Sequence, residues 1–263
     1  MFTAKHYLLA ESIQQAYELN QSKRNAILGG LFWLRMGNKK IHTLIDLSNL
    51  GFNQIEETQQ EFIIGSMCTL RDFELHEGLN TFFQQAPFKS VEHIVGTQFR
   101  NTATMGGSVY SRFGFSDILT LLLCLNASVQ LYQKGMLSLE EYIQQPYDRD
   151  ILMKIQIPKQ TCQVRYLTQR LSATDFPVLT CTVARFETGW RIVLGARPQK
   201  ATLVRYDLPQ FPTQQDINGL LEFVQKQVVF GDNMRGSAAY RTHLAIVLIE
   251  RAIGSILEDS HAD

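Results

Sequence analysis

The chain has 263 residues, and a hydrophobic share of 45% is typical of a globular protein with one or two domains. Its 25 Lys and Arg residues balance its 25 Asp and Glu residues, and the charges are scattered. Nucleic acid and an anionic membrane surface are therefore not expected partners. The longest apolar run, residues 118–125, is too short to cross a bilayer, so we expect a cytoplasmic protein.

The N-terminal third mixes helices and short strands. Ser12 can cap a helix that ends at Asn20, and a short strand at residues 26–28 runs into a glycine pair. Residues 43–47 and 61–65 read as further strands, and residues 69–83 have helical spacing of apolar side chains. This part of the chain is therefore predicted to be α and β in alternation.

The middle of the chain begins with a loop of small and polar residues at 96–111, followed by an apolar helix at 118–125. Strands are predicted at 128–132 and 152–157, and Pro158 indicates a boundary. Beyond it, three strand-like runs at 178–186, 190–196 and 202–206 predict an antiparallel meander. Two helices follow, the last at about 237–257.

Cysteine and histidine spacing predicts no metal site. The four cysteines are far apart and show no C-x-x-C pair, and the six histidines show no H-x-x-x-H pair. We expect the cysteines to be reduced and buried, because free cysteine behaves as a small hydrophobic residue.

Two glycine pairs, Gly29–Gly30 and Gly106–Gly107, are the main candidates for ligand binding. Paired glycines permit positive φ and expose backbone N–H groups, which suits a pyrophosphate. Neither pair has the spacing of G-x-G-x-x-G or of a P-loop, and the alternative for either pair alone is an ordinary tight turn. Hydroxyl groups near the second pair are available for support at Thr102, Thr104 and Ser108.

The run IVGTQFRNTATMGGSVYSRFGFSDILTLLLCLNASVQL resembles the signature of the FAD-binding medium subunit of the molybdenum hydroxylases, such as xanthine dehydrogenase and carbon monoxide dehydrogenase. Further matches occur in the same order along the chain. They are LGG at 28–30, IGSMCTLRDFE at 64–74, IQIP ending at Pro158 and DNMRGSAAYRTHL at 232–244. The resemblance therefore extends over nearly the whole chain.

The resemblance implies an α+β fold. Residues 1–160 would form a PCMH-type FAD-binding domain of two α/β subdomains, with a boundary near residues 50–60. Residues 161–263 would form a C-terminal flavoprotein domain with a three-stranded antiparallel sheet and helices.

The resemblance also implies cofactor-binding residues, but no catalytic or metal-binding residue. Two of them have structural alternatives, because Asp117 can be a helix N-cap and Ile151 an ordinary core residue. Arg235 and Tyr240 belong to a motif that we interpret as structural packing. The residues implied to bind FAD are Ala26, Ile27, Leu28, Gly29, Gly30 and Leu31 in a first loop, Thr104, Met105, Gly106, Gly107 and Ser108 in a second, and Asp117 and Ile151.

The chain departs from the family pattern at three places. Leu31 and Phe32 stand where Thr-Asp is common, Ser108 stands for an Asn, and Leu167 stands where relatives often have a lysine near the flavin ring. Part of the expected polar surface around the cofactor is therefore missing.

The implied function is electron transfer through FAD, from iron-sulfur clusters on a partner subunit to NAD⁺ or another acceptor. Molybdopterin and iron-sulfur clusters are expected only on partner subunits, a large molybdopterin-binding subunit and a small iron-sulfur subunit. One alternative is a degenerate paralogue that serves as a non-catalytic structural subunit with weak or no FAD binding. Another is a self-sufficient flavoenzyme, for which neither glycine loop offers a histidine or lysine as base.

Overall fold

The computed structural model describes residues 1–259, and contacts divide the chain into two compact units. The first unit contains residues 1–73, 97–111 and 127–157, and the second unit contains residues 74–96, 112–126 and the chain from 158 onward. The predicted division at residue 160 stays a prediction. The division by contacts differs from the predicted one because it groups residues 74–96 and 112–126 with the C-terminal part. Residues 260–263 lie outside the described part of the chain.

The strands form three sheets, two in the first unit and one in the second. In the first unit, one sheet is parallel with the order β1-β3-β2, and the other has the order β4-β5-β8-β6-β7. The second unit has an antiparallel sheet with the order β12-β11-β10-β9. The strands are β1 (Thr3–Leu9), β2 (Ala26–Leu28), β3 (Lys40–Asp46), β4 (Ile55–Glu57), β5 (Glu61–Gly65), β6 (Ser128–Leu131), β7 (Gly135–Ser138), β8 (Leu152–Pro158), β9 (Cys162–Gln169), β10 (Leu179–Phe186), β11 (Gly189–Gly195) and β12 (Thr202–Val204).

Most helices are short, and the two longest come last. A 3₁₀ turn, Ser48–Leu50, follows β3. The α-helices are α1 (Ile13–Asn20), α2 (Phe32–Met36), α3 (Leu70–Leu75), α4 (Glu77–Phe82), α5 (Ala86–Val91), α6 (Thr97–Arg100), α7 (Met105–Tyr110), α8 (Asp117–Cys124), α9 (Leu139–Gln144), α10 (Gln214–Gln227) and α11 (Ala238–Asp259).

The predicted α+β fold class is confirmed, and local signals explain the elements that were found. Ser12 caps α1, since its hydroxyl accepts a hydrogen bond from the Gln15 amide at 3.2 Å. Strand β3 is buried along its last four residues, as expected for the central strand of a parallel sheet. Its end is fixed by Asp46, whose carboxylate accepts hydrogen bonds from the Tyr7 hydroxyl and from both the amide and the hydroxyl of Ser48.

Three expectations about the elements are wrong. The helix expected over 69–83 is two short helices, and His76 begins the second by accepting a hydrogen bond from the Leu79 amide at 3.1 Å. The loop expected over 96–111 contains α6 and α7. The C-terminal sheet has a fourth strand, β9, whose apolar positions alternate with Gln and Arg; this alternation is a strand pattern that was overlooked.

Each unit has its own apolar core. In the first unit, Ile45 and Leu47 at the end of β3 pack with Ala10, Ala16 and Ile151. In the second unit, α11 packs on β9 and β10, while α8 packs on β10 and β11. This core takes apolar side chains from three strands and from both long helices.

The cysteines, the possible metal ligands and the longer helices bear on function. All four cysteines are free and buried, as the sequence predicted. Within residues 1–259, no group of three or more His, Cys, Asp or Glu side chains is arranged to hold a metal ion. The same residues include no helix that is both long and apolar enough to span a membrane.

Candidate functional site

The two glycine pairs meet inside the first unit. A Cβ atom added to Gly30 would lie 2.4 Å from the carbonyl oxygen of Thr102. One added to Gly29 would lie 3.2 Å from the Thr104 hydroxyl oxygen and 3.8 Å from Gly107 Cα. The first segment (residues 26–32) therefore touches the second segment (residues 99–108), and we call the two together the glycine cradle.

The glycines are required by close approach and not by unusual backbone angles. These pairs do not adopt the positive φ that paired glycines permit; within the described residues, the glycines with positive φ are Gly51, Gly135 and Gly189. A Cβ added to Gly106 would lie 2.5 Å from the carbonyl oxygen of Ser66, a distance that real side chains do not tolerate. The backbone of the second segment is thus pressed against the end of β5.

Strand β2 carries the first segment into the cradle. Ala26, Ile27 and Leu28 pair with β3 and are half-buried. The strand ends beside Asp46, at the carboxyl end of the parallel sheet, where the chain turns into the glycine pair. Ligands of open parallel sheets commonly bind at this end of the strands.

Backbone amides of the first segment are available for a ligand. Within residues 1–259, the N–H groups of Gly29, Gly30 and Leu31 donate to no protein acceptor, and all three residues are partly exposed. Leu31 adopts a left-handed conformation with a φ of 65° just before α2. Successive unpaired amides at such a turn form a concave surface suited to phosphate oxygens.

Backbone amides of the second segment are already used, contrary to the expectation that both loops would supply donors. Met105 donates to the carbonyl of Cys68 and Gly106 to that of Ser66, both at 2.8 Å. Met105 is fully buried. These two residues therefore fix the position of the segment and offer no free donor.

The remaining predicted residues of the second segment form the N-terminus of α7. The Thr104 hydroxyl caps the helix by accepting a hydrogen bond from the Gly107 amide at 3.1 Å. The Ser108 hydroxyl donates to the Thr104 carbonyl at 2.9 Å and keeps its lone pairs as acceptors. Gly107 is exposed, so this part of the cradle faces solvent without a side chain.

Sequence reasoning missed Phe99. Its ring stacks on that of Phe32, with centroids 4.0 Å apart and planes inclined by 29°. Both rings are partly exposed. The only signal in the sequence was an aromatic residue inside an otherwise polar run.

Asp117 lies in the second unit and is held by protein partners there. Its Oδ1 atom accepts a hydrogen bond from the Tyr166 hydroxyl at 2.5 Å and forms an ion pair with Arg170. The N-cap alternative is wrong, since Ser116 caps α8 by accepting a hydrogen bond from the Leu119 amide. Asp117 follows as the first helical residue.

Burial and charge act in opposite directions on this carboxyl. Burial raises the pKa of Asp117 above its usual range, while the guanidinium of Arg170 and the hydroxyl of Tyr166 oppose that rise. Burial and the neighbouring carboxylate likewise raise the pKa of Tyr166. Arg170 also donates to the carbonyl of Asp175 at 2.5 Å, so Asp117 has an evident structural role in its unit. A cofactor contact for Asp117 stays a prediction.

Ile151 is a core residue, as the structural alternative for this position predicted. Its side chain is 2% exposed and belongs to the core of the first unit, and its carbonyl accepts a hydrogen bond from the Tyr132 amide. A cofactor contact for Ile151 also stays a prediction.

The C-terminal motif at 232–244 is organised by arginines. Arg235 pairs with Asp175 at 3.2 Å, in line with the structural interpretation. The guanidinium of Arg241 is fully buried and donates to the carbonyls of Val178, Gly231 and Gly236 and to the side chain of Asn233.

Comparison with known proteins identifies the family. Residues 2–160 match the family described as "FAD binding domain in molybdopterin dehydrogenase". The chain belongs to this family. The match spans all of the glycine cradle, and it gives FAD as the cofactor for this part of the chain.

Individual relatives agree over nearly the full length. The chain is 26% identical over 256 residues to the uncharacterized protein YgfM of Escherichia coli strain K12, covering 93% of each. Among solved structures, carbon monoxide dehydrogenase from Hydrogenophaga pseudoflava superposes with a TM-score of 0.86 at 17% identity, covering 98% of this chain and 99% of the other. Quinoline 2-oxidoreductase from Pseudomonas putida 86 gives 0.84 at 18% identity, covering 98% and 99%. The likeness to the solved structures shows the fold.

The cradle fits FAD in its main-chain chemistry. Three unpaired amides supply hydrogen-bond donors for a diphosphate, and Gly29 lies near Gly107 with no side chain on either residue. The side chains of Leu31 and Phe32 add no polar group. Affinity for the diphosphate would therefore depend on the backbone.

Proposed function

We propose that this chain is the FAD-binding electron-transfer subunit of a molybdenum-hydroxylase-type oxidoreductase. The observation that carries the proposal is the contact between the two glycine segments, which presents three unpaired amides beside a surface without side chains. Bound FAD would supply the two-electron redox chemistry, and the protein would bind and orient it.

The chain's own residues would act mainly through the backbone. The amides of Gly29, Gly30 and Leu31 would bind the diphosphate oxygens, because charge-assisted N–H···O bonds are the stronger kind. Thr104 and Gly107 would form the opposite wall, with the Ser108 hydroxyl as a further polar group.

Partner subunits would supply the rest of the electron route. Residues 1–259 contain no metal-binding cluster of His, Cys, Asp or Glu side chains, so this part of the chain offers no framework for iron-sulfur clusters. We infer that an iron-sulfur subunit delivers electrons from a molybdopterin-binding large subunit. The final acceptor would be NAD⁺ or another oxidant.

The first experiment is a visible spectrum of the purified protein, followed by identification of the released flavin. We expect oxidised flavin bands and a content near one FAD per chain. A Gly107→Val variant should fold and lose the flavin, because its side chain would fill the exposed wall of the cradle. Gly254→Val in α11 is the matched control, since a Cβ there meets nothing within 4 Å. Full flavin content in the Gly107 variant would contradict the placement of the site.

A structural, non-catalytic subunit is the second candidate. It is favoured by Leu31 and Phe32, which bring apolar side chains to the cradle where relatives commonly have Thr-Asp. Apoprotein that takes up no FAD, yet co-purifies with an iron-sulfur or molybdopterin subunit, would support this candidate over electron transfer.

A further inference from the structure

The two segments of the cradle run side by side in opposite directions. Gly30 touches Thr102, and two residues further along the first segment the ring of Phe32 stacks on Phe99, three residues earlier in the second. The order of these contacts reverses between the segments. The Phe32–Phe99 pair therefore closes one end of the cradle.

The stack is also the specific attractive contact between the segments. No hydrogen bond joins Gly29, Gly30, Leu31 or Phe32 to the second segment anywhere in the described chain. The glycines touch the second segment, but a van der Waals contact between backbones has little directional preference. Aromatic rings, in contrast, favour defined geometries when they pack together.

The stack lies directly beside the unpaired amides. Leu31 is left-handed, so the chain turns between the glycine pair and Phe32, and the ring position constrains the direction of the three preceding N–H groups. Loss of the stack would remove the aromatic contact that ties these amides to the second segment. A phosphate would then have to order the segment when it binds, which weakens affinity.

We propose that Phe32 and Phe99 are positioning residues, an aromatic clasp that holds the first segment against the second and sets the Gly29–Leu31 amides for a phosphate-bearing ligand. The inference rests on the proposed function in taking that ligand to be FAD. It also gives the departure at Phe32 a role, since the ring organises the backbone donors where the family's polar side chain is absent.

The test measures FAD affinity of the apoprotein by flavin fluorescence titration in Phe32→Ala, Phe99→Ala and the double variant. Loss of one aromatic stack corresponds to about a threefold to tenfold weaker dissociation constant. The double variant should be no weaker than either single variant, because one contact is removed in all three. Both rings are partly exposed, so the apoproteins should fold, and Phe211→Ala, at a 74% exposed ring of the second unit, is the control.

A second readout reports the clasp without FAD. The protein has two tryptophans, and Trp33 follows Phe32 directly. In a Trp190→Phe background, Trp33 fluorescence anisotropy of the apoprotein should fall when Phe99 becomes alanine. Loss of overall stability alone would not produce this change in a folded protein.

The outcomes separate the inference from the proposed function. Wild-type apoprotein that binds no FAD refutes the proposed function, and the Trp33 anisotropy then decides the clasp alone. Unchanged FAD affinity in both single variants refutes the clasp, as do losses that multiply in the double variant. Tighter binding by Phe32→Ala would also refute it, because the ring would then obstruct the ligand.

Discussion

The glycine at position 106 is predicted to contribute to the stability of the fold, apart from any role in cofactor binding. An alanine Cβ at this position would lie 2.5 Å from the Ser66 carbonyl oxygen and 2.6 Å from Ser66 Cβ. Two of the nearest atoms belong to the backbone, so no side-chain rotation relieves the clash. The second segment would have to move away from β5.

The size of the effect follows from what that movement breaks. Overpacking of a buried site destabilises by about 1–3 kcal/mol. Loss of the Met105 and Gly106 hydrogen bonds adds about 1 kcal/mol each, and the better helix propensity of alanine returns up to about 1 kcal/mol. We expect the free energy of unfolding of Gly106→Ala to fall by about 2–5 kcal/mol.

Gly107→Ala provides the matched comparison on the adjacent residue. A Cβ there meets only the Thr104 hydroxyl oxygen, at 3.0 Å, and the position is exposed. Its free energy of unfolding should stay within about 1 kcal/mol of wild type. Urea unfolding followed by circular dichroism measures both variants. Equal stability of the two variants would refute the reasoning, because it rests on a backbone contact that only Gly106 makes.

Three further predictions concern buried polar groups. Arg241→Met should lower the free energy of unfolding by about 3 kcal/mol, because the buried guanidinium donates to four acceptors and the change removes all four hydrogen bonds; a thermal shift of under 2 °C would contradict this. Burial raises the pKa of Asp46, but hydrogen bonds from a serine and a tyrosine outweigh it and hold that pKa below its usual range. Because its pKa is lower in the folded protein, ionised Asp46 stabilises the fold at pH values above the pKa of the unfolded carboxyl. The free energy of unfolding that Asp46→Asn loses, measured by urea unfolding, should therefore be largest at pH 7 and become smaller as the pH falls below 4. A loss that stays constant with pH would contradict this prediction. Burial raises the pKa of the Cys68 and Cys162 thiols to about 12, and all four cysteines are buried. A thiol reagent at pH 8 should therefore label none of the four cysteines in native protein and all four in urea. Rapid labelling of the native protein would be inconsistent with the fold.

The elements that the sequence predicted well are those with strong local signals. The Ser12 cap and the apolar run of α8 depend on residues that are close together in the sequence, so the sequence predicts them directly. Strand β9 was missed although Gln and Arg alternate with its apolar residues, which is the pattern of a half-buried strand. The helix break at His76 was missed because histidine is not among the preferred capping residues.

The candidate site was predictable in location but not in chemistry. The sequence indicated that two glycine segments would converge, and they do. It assigned donors to both, whereas the amides of Met105 and Gly106 donate to the carbonyls of Cys68 and Ser66, just after β5. It read Asp117 as a ligand contact or a helix cap, but could not show that Tyr166 and Arg170 take its carboxylate.

The amino-acid order by itself determined the family, the α+β class and the positions of the glycine pairs, since motifs and periodicity are properties of neighbouring residues. Only the tertiary structure decided what each glycine does, because closeness between backbones depends on segments far apart in the chain. The backbone of Ser66 leaves no room for a side chain at position 106, and the backbone of Thr102 leaves none at position 30. Within residues 1–259, the same folding leaves the amides of Gly29, Gly30 and Leu31 without a protein partner, and long-range packing sets that difference between two similar glycine pairs.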